Sequence, residues 1–339
     1  MPPLELEHLF IDEKITLTLF PAWATWNNST HTWKLHLQGV LAQPGKLSLR
    51  RKVLLRLLKK LMHADVTDYS SPHFKELVSG FLQDGMPKQQ IDIQLGQQSF
   101  PLAKRSKKSG YFSGSLSLGD SFFQEMASDK NRDDHQHGPK HSPGPKASTI
   151  EQPQPTSQLG HPSLQNLIAR PRFFPDLAKT APIHRLFPEG VSVISDIDDT
   201  IKETNVLEKK ELLRNTFLKP FQPIEGMAQV YQDWKRRGAD FHYISSSPWQ
   251  IYQPLGTFIS EFQFPTGTFH LRSFRLRDHL LKRFLLLRQR GKSRAILALL
   301  GMLPKRRFIL VGDSGVRDPE IYGRLARKYP EQMEAIARR

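Results

Sequence analysis

VSVISDIDDT, residues 191–200, is the stretch whose reading organises the chain. It opens with the small and β-branched types that suit a strand buried on both faces, and acids follow at once. Asp196 and Asp198 are two apart, so in extended geometry they share one face. Open α/β sheets bind ligands in the crevice beyond the carboxyl ends of parallel strands, a placement in which two carboxylates suit a metal and a phosphate. Taken alone, the same residues are an ordinary turn of solvated acids after a strand. The decision rests on what surrounds them.

Outward from this stretch, strand and helix alternate. Residues 191–195 read as the first strand, 223–237 as a helix stopped by Gly238, and 241–244 (FHYI) as the second strand. A helix over 292–300 closes at Gly301, RFILV at 307–311 is the third strand, and a last helix covers 318–329. Asp318 is placed to cap that helix and Pro319 to occupy its first position. The alternation predicts a parallel, doubly wound α/β sheet. Each strand end carries a different polar group: Asp196 and Asp198 on the first, Ser245 of a serine triplet on the second, Gly312, Asp313 and Ser314 on the third, with Asp318 just beyond. Lys292 opens the helix before the third strand. A phosphoryl-transfer site built from separate loops needs a nucleophile, a proton donor, a metal clamp and a cation for the phosphoryl oxygens, and all four kinds of group are present. Singly, Asp318 reads as a helix cap, Lys292 as a surface lysine, and Asp199 and Thr200 as turn formers. In this order on consecutive strand ends they are specific.

The first half differs. Residues 14–19 and 33–41 alternate apolar and polar with period two, and 90–95 and 111–118 do so more weakly, which predicts a small β-rich unit, a sandwich or barrel, over 1–126. Between them LRRKVLLRLLKKLM, 49–62, is a basic amphipathic helix by its Leu spacing. Residues 127–162 are nearly devoid of aliphatic side chains and predict a disordered linker between two independently moving halves. His135, His137 and His141 lie within it without a scaffold to hold metal geometry. The second domain is expected over 163–339, with 163–189 as a connecting stretch.

The composition sets bounds. With 339 residues an ample core is available, and with Cys 0 every disulfide, thiolate-metal and cysteine-nucleophile reading is excluded. A net charge of +16 favours polyanions, either anionic lipid or nucleic acid. No window approaches the roughly 18 consecutive apolar residues of a membrane span. No signal-like start is present either, so a soluble cytoplasmic protein with peripheral membrane association is expected.

The motif order resembles that of the haloacid dehalogenase-like phosphohydrolases. The wording of SDIDDTIKETNV (195–206), YISSSPWQIYQPL (243–255), FPTGTFHLRSF (264–274) and VGDSGVRDPEIY (311–322) is similar to one branch, the actin patch protein family of magnesium-dependent phosphatidate phosphatases, which has bacterial relatives. Weaker likeness extends to TWKLHLQGVL and KKSGYFSGSL in the first half. The resemblance implies a haloacid dehalogenase-like sheet, with Asp196 as the nucleophile that forms an aspartyl-phosphate and Asp198 as the acid and then base. It implies Mg²⁺ held by Asp196, the backbone carbonyl of Asp198 and Asp313, and Ser245 and Lys292 on the phosphoryl oxygens. Asp318 completes the acidic set, orienting Lys292 or a metal-bound water. Ser246 or Ser247 can replace Ser245 in register. Val316 departs from the family's polar residue, and a chain ending at Arg339 leads one to expect a sheet lacking an edge strand.

Only 44 residues separate Thr200 from Ser245, and another 44 separate Ser247 from Lys292, which leaves no room for a large cap. An open site accepts a phosphate on something large. Residues 272–294, RSFRLRDHLLKRFLLLRQRGKSR, mix Arg and Lys with Phe and Leu as an interfacial segment does. The function expected is hydrolysis of phosphatidate to diacylglycerol and inorganic phosphate. A capless polynucleotide phosphatase, or a basic membrane adaptor with a secondary phosphatase site, is the alternative.

Overall fold

The computed structural model describes residues 14–45, 62, 71–120, 122, 165–272, 290–314 and 318–338. The amphipathic helix expected over 49–62 (Met62 apart), the tract 127–162 with its histidines, the basic stretch 273–289 and Val316 lie outside them.

The period-two alternation of the first half resolves into β1 (Thr16–Leu19), β2 (Ala22–Asn27) and β3 (Thr32–Gln43), then helix α1 (Pro72–Leu82), then β4 (Asp84–Gly85), β5 (Ile91–Leu95), β6 (Gln98–Pro101) and β7 (Tyr111–Gly119). In β5 the rule is visible residue by residue, with Ile91, Ile93 and Leu95 buried and Asp92 and Gln94 outward. Two further strands, β8 (Gln165–Pro171) and β9 (Lys179–Leu186), complete a sheet ordered β1-β3-β2-β9-β8-β5-β6, with β4 and β7 also on β3. These two strands fall within the stretch that the sequence reading made a connector of the second half. β9 pairs in parallel with β2, far upstream, so the sheet is mixed and its pairing leaves no local signal. Leu17, Leu35, Ile93, Phe112, Leu167 and Ile183 converge in one core inside it.

The second sheet contains β10 (Val191–Asp196), β11 (Asp240–Pro248), β12 (Thr268–Arg272), β13 (Arg307–Gly312) and β14 (Met333–Arg338). Between them run α2 (Lys209–Phe217), α3 (Met227–Arg236), α4 (Tyr252–Glu261), α5 (Arg290–Met302) and α6 (Asp318–Lys328). The order is β12-β11-β10-β13-β14 and every pairing is parallel. Adjacent residues of β10 serve opposite faces. Val193 packs with Tyr231 of α3 and Phe258 of α4, and Ile194 with Ile296 of α5 and Ile321 of α6. Helices therefore cover both faces, which is why this strand reads as a continuous apolar run. The expectation of a missing edge is corrected, because β14 pairs with β13. MEAIAR has no buried residue and so does not announce itself as a strand.

The two halves share a core rather than standing apart. Phe20, Val40, Phe74 and Leu77 of the first pack in one cluster with Ile201, Leu213 and Tyr243 of the second. The edge of β12 is covered where Gln38 Nε2 donates to the Phe269 carbonyl at 2.8 Å. Beside it, Trp23 Nε1 donates to Met302 Sδ at 3.3 Å. Arg306, 2% exposed, clamps the start of β10 through Ser192 Oγ, the carbonyls of Phe187, Glu189 and Val191, and Asp240.

Candidate active site

The strand order reverses at β10, whose neighbours β11 and β13 leave on opposite sides. A crevice at such a switch point, beyond the carboxyl ends, is where this architecture binds ligands. Asp196 is the last residue of β10 and is buried. Lys292, in the first turn of α5, lies 3.0 Å from Asp196 Oδ2 and donates to both oxygens of Asp318 at 2.7 and 2.8 Å. The Asp196 carboxyl is raised to about 7: burial raises it most, Lys292 pulls it down, and Asp318 and Asp198 push it up again. Burial also opposes the Lys292 ammonium, but Asp196 and Asp318 more than offset that and hold its pKa above the ordinary value.

Asp318 opens α6 and packs over Gly312 at the end of β13. A Cβ at Gly312 would stand 2.6 Å from Asp318 Oδ2 and 2.7 Å from Tyr322 Cε2, so only glycine lets α6 approach. Tyr322 Oη bonds the Val311 carbonyl at 3.2 Å and lies 3.4 Å from Asp318 Oδ2.

Asp198 is held in a separate set of bonds. Oδ1 accepts from Thr204 Oγ1 at 3.0 Å and lies 3.1 Å from Lys202 Nζ. Oδ2 accepts from Ser247 Oγ at 2.9 Å and Ser245 Oγ at 3.2 Å. The serine triplet is thereby registered: Ser245 and Ser247, two apart on an extended chain, face Asp198 together. The loop that returns Lys202 beneath Asp198 is fixed by Asp199, which sits in the left-handed region at φ 57°. Its carboxylate accepts from the backbone N–H of Thr204, Asn205 and Val206 at 2.8, 2.7 and 2.6 Å. Asp199 is thus more than a turn former, since it ties the loop that carries Lys202 and Thr204.

Of the residues expected from the sequence, the structure joins Asp196, Lys292 and Asp318 in one ion chain, and Asp198 with the Ser245 hydroxyl, and with Ser247, in a second hydrogen-bonded group. Asp313 is half-buried at the end of β13, beside β10. Among the described residues no three acidic or histidine side chains gather as a ready cation cage. Asp318 is bonded to Lys292 through both oxygens, so its place in this structure is on the lysine. Lys202, Thr204 and Arg306 were missed by sequence reasoning. The lone signal for Lys202 is a charged residue between Ile201 and Val206, both buried, immediately after the acids.

Residues 191–339 match the family model described as the phosphatidate phosphatase APP1 catalytic domain. Phosphatidate phosphatase APP1 of Saccharomyces cerevisiae is 34% identical over 164 residues, covering 47% of this chain and 27% of that protein. An uncharacterized protein of Schizosaccharomyces pombe is 32% identical over 151 residues, covering 43% of this chain and 24% of that one. The chain thus spans about a quarter of the length of these curated relatives. Among solved structures, that of a Pnkp1/Rnl/Hen1 complex matches at 14% identity and a TM-score of 0.31, covering 56% of this chain and 58% of that one, a likeness too slight to bear on the fold. No helix among the described residues is long and apolar enough to cross a membrane. By these matches residues 191–339 are a phosphatidate-phosphatase-like catalytic domain, related over that part of the chain to the phosphatidate phosphatase APP1 family.

Proposed function

We propose that this chain hydrolyses phosphatidate to diacylglycerol and inorganic phosphate at the end of β10, by the aspartyl-phosphate chemistry of haloacid dehalogenase-like phosphohydrolases. The observation that carries the reading is the pair of bonded clusters at the switch point, one ionic and one of a carboxylate with two hydroxyls. Asp196 bonds Lys292, itself fixed by Asp318, and beside it Asp198 bonds two serine hydroxyls. In this reading an Asp196 oxygen forms a bond to phosphorus as the bond from phosphorus to the glycerol oxygen breaks, and a proton passes from Asp198 to that oxygen. Water then attacks the aspartyl-phosphate and gives its proton to Asp198, which frees phosphate and restores Asp196. Lys292 and Ser245 hold the phosphoryl oxygens. Asp318 acts through Lys292, holding its ammonium where it meets Asp196.

Asp196, Asp313 and the backbone carbonyl of Asp198 offer the carboxylate and carbonyl oxygens that a hard cation takes, and Mg²⁺ bound there would neutralise phosphoryl charge. The lipid substrate is favoured by the relationship to the phosphatidate phosphatase family. Between Thr200 and Ser245 the chain places α2 and α3 and no lid, so a phosphate carried by a bilayer lipid can reach the strand ends. The basic stretch 273–289 follows Arg272, at the carboxyl end of β12, and precedes Lys292 in the site, which puts both its flanks on the catalytic side. Peripheral association with anionic membranes from the cytoplasm belongs to the same reading.

The test is phosphate release from vesicles containing phosphatidate, set beside an oligonucleotide bearing a terminal phosphate. Release from vesicles that drops on the order of 10³-fold in Asp196→Asn supports the reading. Release from the oligonucleotide alone would replace the lipid by a polynucleotide, and an Asp196→Asn variant keeping a tenth of the activity would remove Asp196 from the chemistry.

A further inference from the structure

Lysine is almost never fully buried unless paired. Lys202 is 0% exposed, and its Nζ has three neighbours: Thr204 Oγ1 at 2.6 Å, Asp198 Oδ1 at 3.1 Å, and the Phe221 ring, whose centroid is 4.7 Å away. Thr204 is also 0% exposed and donates to the same Asp198 oxygen. Backbone bonds leave this lysine no latitude, because its N–H donates to the Ile197 carbonyl at 3.1 Å and its carbonyl accepts from Asp199 N–H at 2.8 Å. As a space filler, a lysine in this slot is a poor choice. Burying an ammonium is costly, and a methionine of similar length would fill the volume without that cost. The charge is retained because something uses it.

We propose that Lys202 is a positioning residue that, with Thr204, turns Asp198 Oδ1 inward and so leaves Oδ2 as the oxygen that exchanges a proton with the reacting ester. The inference rests on the phosphatase reading above and adds to it a division of labour between the two oxygens of one carboxylate. The terminal torsion of an aspartate is broad and roughly two-fold, so an unclamped carboxylate presents either oxygen. Here Oδ1 faces a buried lysine and threonine, and Oδ2 faces Ser245 and Ser247 at the carboxyl end of β11. Among the described residues the two buried lysines, Lys202 and Lys292, are therefore divided between the motif acids. Lys292 serves Asp196 and Asp318, and Lys202 serves Asp198.

The chemistry supplies a readout that a purely structural role would not move. As the ester bond to phosphorus breaks, an alkyl oxygen leaves poorly without a proton, whereas a nitrophenolate leaves without one. Misplacing the Asp198 proton should therefore penalise alkyl esters selectively. Lys202→Met would be compared with the wild-type chain on a short-chain phosphatidate and on nitrophenyl phosphate. The comparison uses kcat/KM, which reports the steps up to the first irreversible one. General acid catalysis is worth roughly 10²–10⁴-fold. The expected result is a loss on the alkyl ester about 10²-fold greater than that on the aryl ester.

Thr204→Val is the second variant. It keeps the Thr204 N–H bond to Asp199 and the lysine itself, and the same ordering is expected at about 10-fold or more by the loss of the hydroxyl's bonds to the Asp198 carboxylate and the Lys202 ammonium. Equal losses on the two esters, or none, in variants that melt like the wild type would overturn the inference and leave the phosphatase reading standing. A wild-type chain that cleaves neither ester would overturn both. Should Lys202→Met not fold, Thr204→Val decides the matter by the same ratio.

Discussion

Replacing Lys292 by methionine removes the cation between two buried carboxylates. The side chains of Lys292, Asp196 and Asp318 are 6%, 6% and 4% exposed, and the ammonium stands 3.0 Å from Asp196 and 2.7 Å from Asp318. Removing one partner of a buried ion pair costs about 3–5 kcal/mol because the other charge is left uncompensated. For a domain of this size that is roughly 6–20 °C in Tm. The Asp196 carboxyl, already raised to about 7 by burial with the lysine present, should rise further and hold a proton at neutral pH. Phosphate release should fall by about 10²-fold or more, as when one preorganised donor to a developing charge is lost. The double variant Lys292→Met with Asp318→Asn separates the two effects. With the second acid neutralised, most of the lost stability should return, while activity should not, since the phosphoryl ligand is still missing. Urea unfolding and phosphate release on the wild type and both variants would check this. A single variant as stable as the wild type, or a double variant no more stable than the single, would refute the electrostatic account of this cluster.

Gly312→Ala should lower activity at least 10-fold while leaving β13 paired, because its Cβ would stand 2.6 Å from Asp318 Oδ2 and 2.7 Å from Tyr322 and must displace α6; unaltered kinetics would show that the close approach is dispensable. Exhaustive chelation with EDTA should abolish phosphate release and Mg²⁺ should restore it, with Zn²⁺ a poor substitute for an all-oxygen donor set; full activity after chelation would remove the cation from the proposal. Acid should weaken the fold through its buried imidazoles. Burial lowers His184 and His270 to about 4, so their contribution is complete above the unfolded value and is lost as pH falls toward 4. Each should cost about 2 kcal/mol at pH 5 relative to pH 7.5. A urea midpoint unchanged between those two pH values would show that these rings are not buried neutral.

The basic residues around 273–289 bear on the lipid part of the proposal. Replacing Arg275, Arg277, Lys282 and Arg283 by Gln should lower turnover on vesicles more than on a soluble phosphate ester, at roughly 1 kcal/mol of membrane binding per charge near the surface. Equal losses on both substrates would make that stretch structural.

What the sequence determined by itself is the part of the molecule whose physics is local. Burial on both faces requires an apolar run, and a strand end requires polar residues, so residues 191–200 announced β10 and its acids. The same logic found β11 and β13, the helix that opens at Asp318, and the period-two strands β1, β3, β5 and β7. The motif order placed Asp196, Asp198, Ser245, Lys292, Asp313 and Asp318 near one crevice. Only the tertiary structure decided what each of them touches. Asp318 could have been a cap or a metal ligand, and the packing of α6 onto Gly312 gave it to Lys292. Three serines were equivalent in the sequence until the pleat of β11 turned Ser245 and Ser247 toward Asp198. Lys202 looked like any solvated lysine, because its burial follows from a loop tied by Asp199 to residues five to seven positions on. β9 and β14 were hidden for different reasons. β9 takes its pairing from β2, far upstream in the chain, and β14 has no buried residue to set a period.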